Sequence, residues 1–325
     1  MNLKGCLMKR LYLLVLFSLL VFSWADEVTV LIPKGSTAKN IASILQKENL
    51  IRNALLFRIK VKLQKKMPVF YSGLMSLDQH SVTSSIIEQL QDKNRIVYIK
   101  ITIPEGYNLF QIDKLLAEKN LTSPNQFYEY STNQKNIDVL ISDIPLLNNK
   151  NIGSLEGLVF PDTYFFDYYT TLPQIVKTFI DNYKRKTQQY STFSYEKLIL
   201  ASIVESEAKA DEERRIIASV YINRRKRKMA FGSCPTISYS RYTKGLPFKE
   251  KLYLNDLKID SPYNTYIHSG LPPTPICNPG IKSILAILNP AKTNYLYFVS
   301  KGNGTHHFSS TAAEHNIWQN KLQNQ

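Results

Sequence analysis

The chain has 325 residues, 44% hydrophobic and 21% charged, enough apolar material for packed cores and too much for a disordered chain. Its formal charge of +15 favours anionic partners, but no zinc-knuckle, RNP or helix-turn-helix signature accompanies it, so nucleic acid is not expected. Cys6, Cys234 and Cys277 form no CxxC and are odd in number, which argues against a disulfide framework, although a Cys234–Cys277 pair stays open.

The N-terminus reads as a targeting segment. Lys4, Lys9 and Arg10 precede an apolar stretch, residues 11–25, broken only by serines and Tyr12. Ser23-Trp24-Ala25 offers small residues for signal-peptidase cleavage; left uncut, residues 1–26 would be a membrane anchor. Basic residues ahead of the run would keep the N-terminus cytoplasmic. The expectation is a single-pass protein of the cytoplasmic membrane, its body on the extracytoplasmic side.

Next comes an internal repeat. Residues 28–50 read VTVLIPKGSTAKNIASILQKENL and residues 99–121 read IKITIPEGYNLFQIDKLLAEKNL, aligned without a gap at an offset of 71. Each copy predicts an alternating strand, a Pro-x-Gly turn and a helix. Residues 67–73 are expected to be a strand, 76–85 a polar loop, and 85–90 a helix. From 120 to 151 the chain is rich in Asn, Ser, Asp and Gln, a connector with short helices. A motif-dense block, LEGLVFPDTY, spans 155–164, and a helix is expected over 172–186.

A helix over 194–208 carries the candidate chemistry. Its centre, LILASIV, is nearly all apolar and should be buried around most of its circumference. Glu205 follows that run directly. Stepping back four and then three residues sets it over Ala201 and Leu198, so its carboxyl is expected to be desolvated and protonated more readily, as a general acid requires. The structural alternative is a solvated glutamate at a helix edge. Glu207 points elsewhere, towards a supporting or surface role. The next helix starts acidic at Asp211 and ends basic at Arg227 and Lys228, complementing its dipole. Ile217, Val220, Tyr221 and Arg224 share a stripe that would draw Arg224 inward. His306, His307 and His315 lack HExxH spacing, so no metal is expected.

ASIVESEA (201–208) followed by IASVYINR (217–224) resembles the catalytic region of the MltG (YceG-like) endolytic murein transglycosylases. CPTISY (234–239), SPYNTY (261–266), GLPPTPICNPG (270–280), NPAKTNYLYFV (289–299), GNGTHHF (302–308) and EHN (314–316) follow in the family's order, and IPEG (103–106) and LEGLVFPDTY match upstream blocks. Cys234, Ser240 and Thr274 depart from residues common in the family.

After the N-terminal membrane helix read from the apolar run, the resemblance implies an α+β chain: a LysM-like α/β module over 27–125, a connector over 126–153, and a mixed α+β catalytic domain over 154–325. It matches Glu205 to the catalytic glutamate. The implied reaction is non-hydrolytic cleavage of the MurNAc–GlcNAc bond within peptidoglycan strands, leaving a 1,6-anhydro end and needing no cofactor. One carboxyl can serve, giving its proton to the leaving oxygen and then taking one from the sugar's C6 hydroxyl.

Asn223, Thr236, Tyr239, Tyr263, Asn264, Thr265, Tyr266 and His306 are the candidates for holding substrate, each with a capping or packing alternative. Glu156, Asp162, Glu207 and Arg224 are candidate supporting groups. Peptidoglycan strands, the membrane and wall synthases are the implied partners. A non-catalytic wall-binding protein and a synthase adaptor are the competing readings.

Overall fold

The computed structural model of the protein describes residues 27–144, 147, 152–247, 249 and 251–323. The chain divides into two units: the first runs to Tyr98 and takes in Asp167–Tyr169, and the second holds Ile99–Phe166 and the chain from Thr170 on.

In the first unit, β1 (Glu27–Ile32) pairs antiparallel with β2 (Gly73–Asp78), from Glu27 opposite Asp78 to Ile32 opposite Gly73. Between these strands lie α1 (Ala38–Lys47) and α2 (Ala54–Lys62), and α3 (Thr83–Gln89) follows. The core combines Val30 and Ile32, Ile41 and Leu45, Phe57 and Val61, and Met75 and Leu77. The second strand therefore sits later than the 67–73 expected from sequence. Met75 and Leu77 are its buried positions, while Ser76 and Asp78 are the outward half of the alternation and made the segment look like a loop.

The two repeat copies fall in different units, yet each uses the same local chemistry. Gly35 (φ +76°) and Gly106 (φ +81°) both take the left-handed backbone that closes the Pro-x-Gly turn. Asn49 (φ 59°) and Asn120 (φ 56°) do the same beyond the helix. There the N–H of Leu50 closes on the carbonyl of Leu45 at 2.9 Å, and that of Leu121 on Leu116 at 3.0 Å. The identities at offset 71 mark a shared way of entering and leaving a helix.

In the second unit, β3 (Ile99–Thr102) pairs antiparallel with β4 (Thr163–Phe166). A capping box between Asn108 and Gln111 starts α4 (Leu109–Glu118), and α5 (Gln126–Thr132), α6 (Gln134–Ile141) and α7 (Leu172–Thr187) follow. The central helix, α8 (Tyr195–Glu207), is capped by the Ser194 side chain and is buried at every position from Leu198 to Val204. A helix buried all round needs neighbours on every side. These include α9 (Arg214–Lys226), α10 (Cys234–Thr243) and α11 (Ile281–Leu288). A hairpin of β5 (Tyr297–Ser300) and β6 (His306–Ser309), then α12 (Ala312–Gln323), complete the unit.

The membrane part of the expected fold is corrected. Among the described residues no helix is long and apolar enough to cross a membrane. A span needs roughly 20 apolar residues. The longest described helix, α7, has 16 and ends in Lys184, Arg185 and Lys186. Residues 1–26, on which the expectation rested, lie outside the described residues. The N-terminal membrane helix, the membrane as a partner and the single-pass localisation are accordingly withdrawn. An α+β architecture stands.

Candidate active site

Glu205 leaves the last turn of α8, directly after the seven buried residues, and its side chain is only 5% exposed. The surroundings are not simply apolar, as the sequence pattern alone suggests. Oε1 accepts from Arg214 Nη1 at 3.0 Å, and Oε2 accepts from the backbone N–H of Gly280 at 2.9 Å. Arg214 opens α9 and is itself fixed: Nη1 also donates to Ser283 Oγ at 2.6 Å, and Nε donates to Asp211 Oδ1 at 3.0 Å. Lys282 pairs with the other oxygen of Asp211. Charge-assisted bonds from a guanidinium and a backbone N–H hold the carboxylate in one orientation.

The loop leading to Gly280 is tied to α8. The N–H of Ile276 donates to Ser202 Oγ at 3.0 Å, and Cys277 Sγ donates to the Ser202 carbonyl at 3.2 Å. Cys277 is a buried free thiol and Cys234 an exposed one. Asn278 then joins three motif blocks: Nδ2 donates to the Tyr107 carbonyl and to Glu156 Oε1, and Oδ1 accepts from the N–H of Val159. Gly106 N–H donates to the Asn278 carbonyl at 2.9 Å. That bond brings the IPEG turn, and with it Glu105, against Gly280. A Cβ on Gly280 would stand 1.8 Å from Glu105 Oε1, so the glycine makes room for this second carboxyl. Partial burial, and after it the charge on Glu205, push the Glu105 carboxyl above the usual glutamate range.

Two cavities flank the end of α8. One, of about 500 Å³, is lined by Gly106, Ser206, Pro235, Tyr239 and Lys251 among others. The second, of about 690 Å³, is lined by Glu207, Tyr221, Arg224, Tyr266, Tyr297 and His315 among others. Cys234 lines both. Glu205 lines neither, but the residue after it faces the first cavity and Glu207 faces the second.

The expected substrate-holding residues divide. Tyr239 lines the smaller cavity and Tyr266 the larger, and both have hydroxyls already engaged, with Glu156 and with Cys234 Sγ respectively. Asn223 Nδ2 donates to the carbonyls of Thr293 and Tyr295, while Asn264 Nδ2 donates to those of Leu257 and Ile259. Thr236 and Thr265 are buried and share a hydrogen bond of 2.9 Å. Tyr263 meets Thr274, and His306 Nδ1 lies 2.7 Å from Glu213 Oε2. All six are engaged with other protein groups.

Among the supporting candidates, Glu207 is not a loose surface group: Oε1 accepts from Tyr221 and Ser233, and burial pushes its carboxyl up. Arg224 donates to the carbonyls of Leu296, Ala230 and Phe231. The Asp162 side chain meets Asn182 and Lys186 rather than Glu205, Arg214 or Gly280. Burial works against its charge, but bonds from Thr163 N–H, Asn182 and Lys186 hold it below the usual range.

Residues 30–321 match the model of the YceG-like family. The chain belongs to that family. It is 36% identical over 303 residues to the endolytic murein transglycosylase of Bacillus subtilis, covering 89% of this chain and 83% of the relative. It is 30% identical over 299 residues to the protein of the same name from Streptococcus pneumoniae, covering 84% of this chain but only 54% of that longer relative. The crystal structure of a yceG-like protein from Listeria monocytogenes superposes with a TM-score of 0.61 at 31% identity, covering 90% of this chain and 98% of that one.

In this YceG-like chain the buried glutamate of the LEGLVFPDTY block has a measurable signature. Glu156 is fully buried, and burial pushes its carboxyl up to about 8 although Leu109 N–H and Tyr239 donate to it. The folded state therefore binds a proton that the unfolded chain has released. Stability from this group is full below the unfolded value near pH 4.5 and is lost as pH rises towards and through 8. Glu156→Gln should flatten the fall in melting temperature between pH 5 and 9 relative to the unsubstituted protein. Parallel curves would refute that assignment.

Glu105, Arg214, Gly280, Ser283 and Asn278 were not singled out from the sequence pattern. Two signals existed: IPEG and the NPG of GLPPTPICNPG are both blocks of the family resemblance.

Proposed function

We propose that this chain is an endolytic murein transglycosylase that cuts peptidoglycan glycan strands internally, with Glu205 as its catalytic carboxylate. The observation that carries this reading is Glu205 itself, nearly buried, with both oxygens held by Arg214 and Gly280 and with sugar-sized cavities on either side of its helix end. A lytic cut at the MurNAc–GlcNAc bond needs no water. The C6 hydroxyl attacks C1, and the net proton movement is from that hydroxyl to the leaving oxygen. Glu205 is the carboxylate through which this proton passes, in line with the general acid–base role of side chains oriented by their neighbours. The exposed ring of Tyr266 offers an apolar face to the sugar on its side, and Tyr239 lines the other cavity. The β-α-α-β order from β1 to β2 supports reading the first unit as a LysM-like module that retains the strand.

Incubation with purified, uncrosslinked glycan strands tests the reading. Fragments ending in 1,6-anhydroMurNAc should accumulate and be seen by mass spectrometry. Retention of strands with no new ends would favour the wall-binding reading.

A further inference from the structure

We propose that Glu105 is the acid of this site and Glu205 its base, the two carboxyls facing each other across Gly280. The inference rests on the transglycosylase reading and divides its proton transfer between two groups.

Gly280 serves both. Its N–H donates to Glu205 Oε2 at 2.9 Å, and the side chain it lacks would occupy the place of the Glu105 carboxyl, 1.8 Å from Oε1. Glu205 is nearly buried, and each of its oxygens accepts a charge-assisted or backbone bond, an arrangement made for a carboxylate. Glu105 is the opposite. It is exposed, and among the described residues it makes no hydrogen bond or ion pair, while its Oε1 lies against Gly280. Gly106, the next residue, packs on Glu205: a Cβ there would stand 3.8 Å from Glu205 Cγ. Gly106 also lines the smaller cavity. The exposed carboxyl thus belongs to the residue just before one that lines the cavity, and it stands beside Glu205 without a hydrogen bond to it.

The charges around Glu105 are Glu205 and Asp211, which favour its neutral form, and Arg214 and Lys282, which oppose it. Partial burial and Glu205 outweigh the cations. A carboxyl without donors beside one held by a guanidinium and a backbone N–H is a pairing suited to an acid and a base.

The step balances. Glu105 enters protonated and gives its proton to the glycosidic oxygen as the bond from that oxygen to C1 breaks, the electron pair staying on oxygen. The C6 oxygen bonds to C1, and its proton passes to the Glu205 carboxylate. Exchange with solvent returns the proton to Glu105. No water is added and no co-reactant is consumed.

The test compares kcat and KM across pH for the full chain, Glu105→Gln, Glu105→Asp and Gly280→Ala, on glycan strands and on an aryl glycoside of GlcNAc-MurNAc. The phenolate of the aryl substrate leaves without a proton. Glu105→Gln should lower kcat on strands by about 10²-fold or more with KM little changed. It should leave the aryl substrate near wild type and erase the alkaline limb of the pH profile, since activity that needs a neutral Glu105 is lost as pH rises. Glu105→Asp should keep that limb and part of the rate. Gly280→Ala is free of backbone strain at φ −74° and should displace the Glu105 carboxyl, giving a weaker form of the Glu105→Gln defect. Equal loss on both substrates, or an unchanged rate and alkaline limb in Glu105→Gln, overturns the proposal while leaving Glu205 as the catalytic group. Wild-type protein that makes no anhydro ends from strands overturns the transglycosylase reading and this inference together.

Discussion

Glu205→Gln lowers the release of anhydro-ended fragments by roughly 10² to 10⁴-fold, the usual contribution of a positioned acid or base. The substitution keeps the shape of the side chain and removes its ability to exchange a proton. It also turns one oxygen into an amide NH2, which must then face either Arg214 Nη1 or the Gly280 N–H, donor against donor. That conflict is expected to cost about 1–3 kcal/mol of stability. The fold survives, because the seven buried residues before Glu205 keep α8 in place. Fragment analysis by chromatography and mass spectrometry reads the activity, and thermal melting reads the fold. A Glu205→Gln protein that still generates anhydro ends at the wild-type rate would remove Glu205 from the chemistry. If wild type and variant retain strands equally well and neither cuts, the non-catalytic alternative gains.

Arg214→Met is expected to be the most destabilising single change near the site. The guanidinium is almost buried and serves Glu205, Ser283 and Asp211 at once. Methionine fills much of the volume but leaves the Glu205 carboxylate enclosed with only the Gly280 N–H. Removing one partner of a buried ion pair costs about 3–5 kcal/mol. For a domain of this size that corresponds to a fall in melting temperature of roughly 6–20 °C. The double substitution Arg214→Met with Glu205→Gln should recover part of the loss, because no bare charge is then left behind. Strict additivity of the two single changes would show that the pair does not carry the stability assigned to it. Catalysis should fall in Arg214→Met as well, since Glu205 loses the group that orients it.

Several elements are legible in the amino-acid sequence. The apolar run from Leu198 to Val204 specifies a helix buried all round, and Ser194 marks its start. Gly35 with Gly106, and Asn49 with Asn120, announce the same turn and helix exit twice, because few residues besides glycine and asparagine accept a left-handed backbone. One assignment failed for a physical reason. Ser76 and Asp78 hid a strand because half of a strand at a sheet surface is polar. Asn223, Asn264, Thr236 and Thr265, candidates for holding sugar, bond to protein groups in this structure, since the amide or hydroxyl that suits a saccharide suits a loop carbonyl or a neighbouring hydroxyl equally well.

What the amino-acid order determined alone was local and periodic: the buried helix, the glutamate at its end, the repeated turn, and the motif blocks that mark the family. The tertiary structure alone decided what meets that glutamate. Glu105, Arg214 and Gly280 come from three segments: Ser202 fastens the loop before Gly280 to α8, Asn278 ties the IPEG turn to that loop, and Arg214, at the start of α9, is held by Asp211 and Ser283. Periodicity tells which side chains leave water; only the packing of distant segments determines which polar groups they meet there.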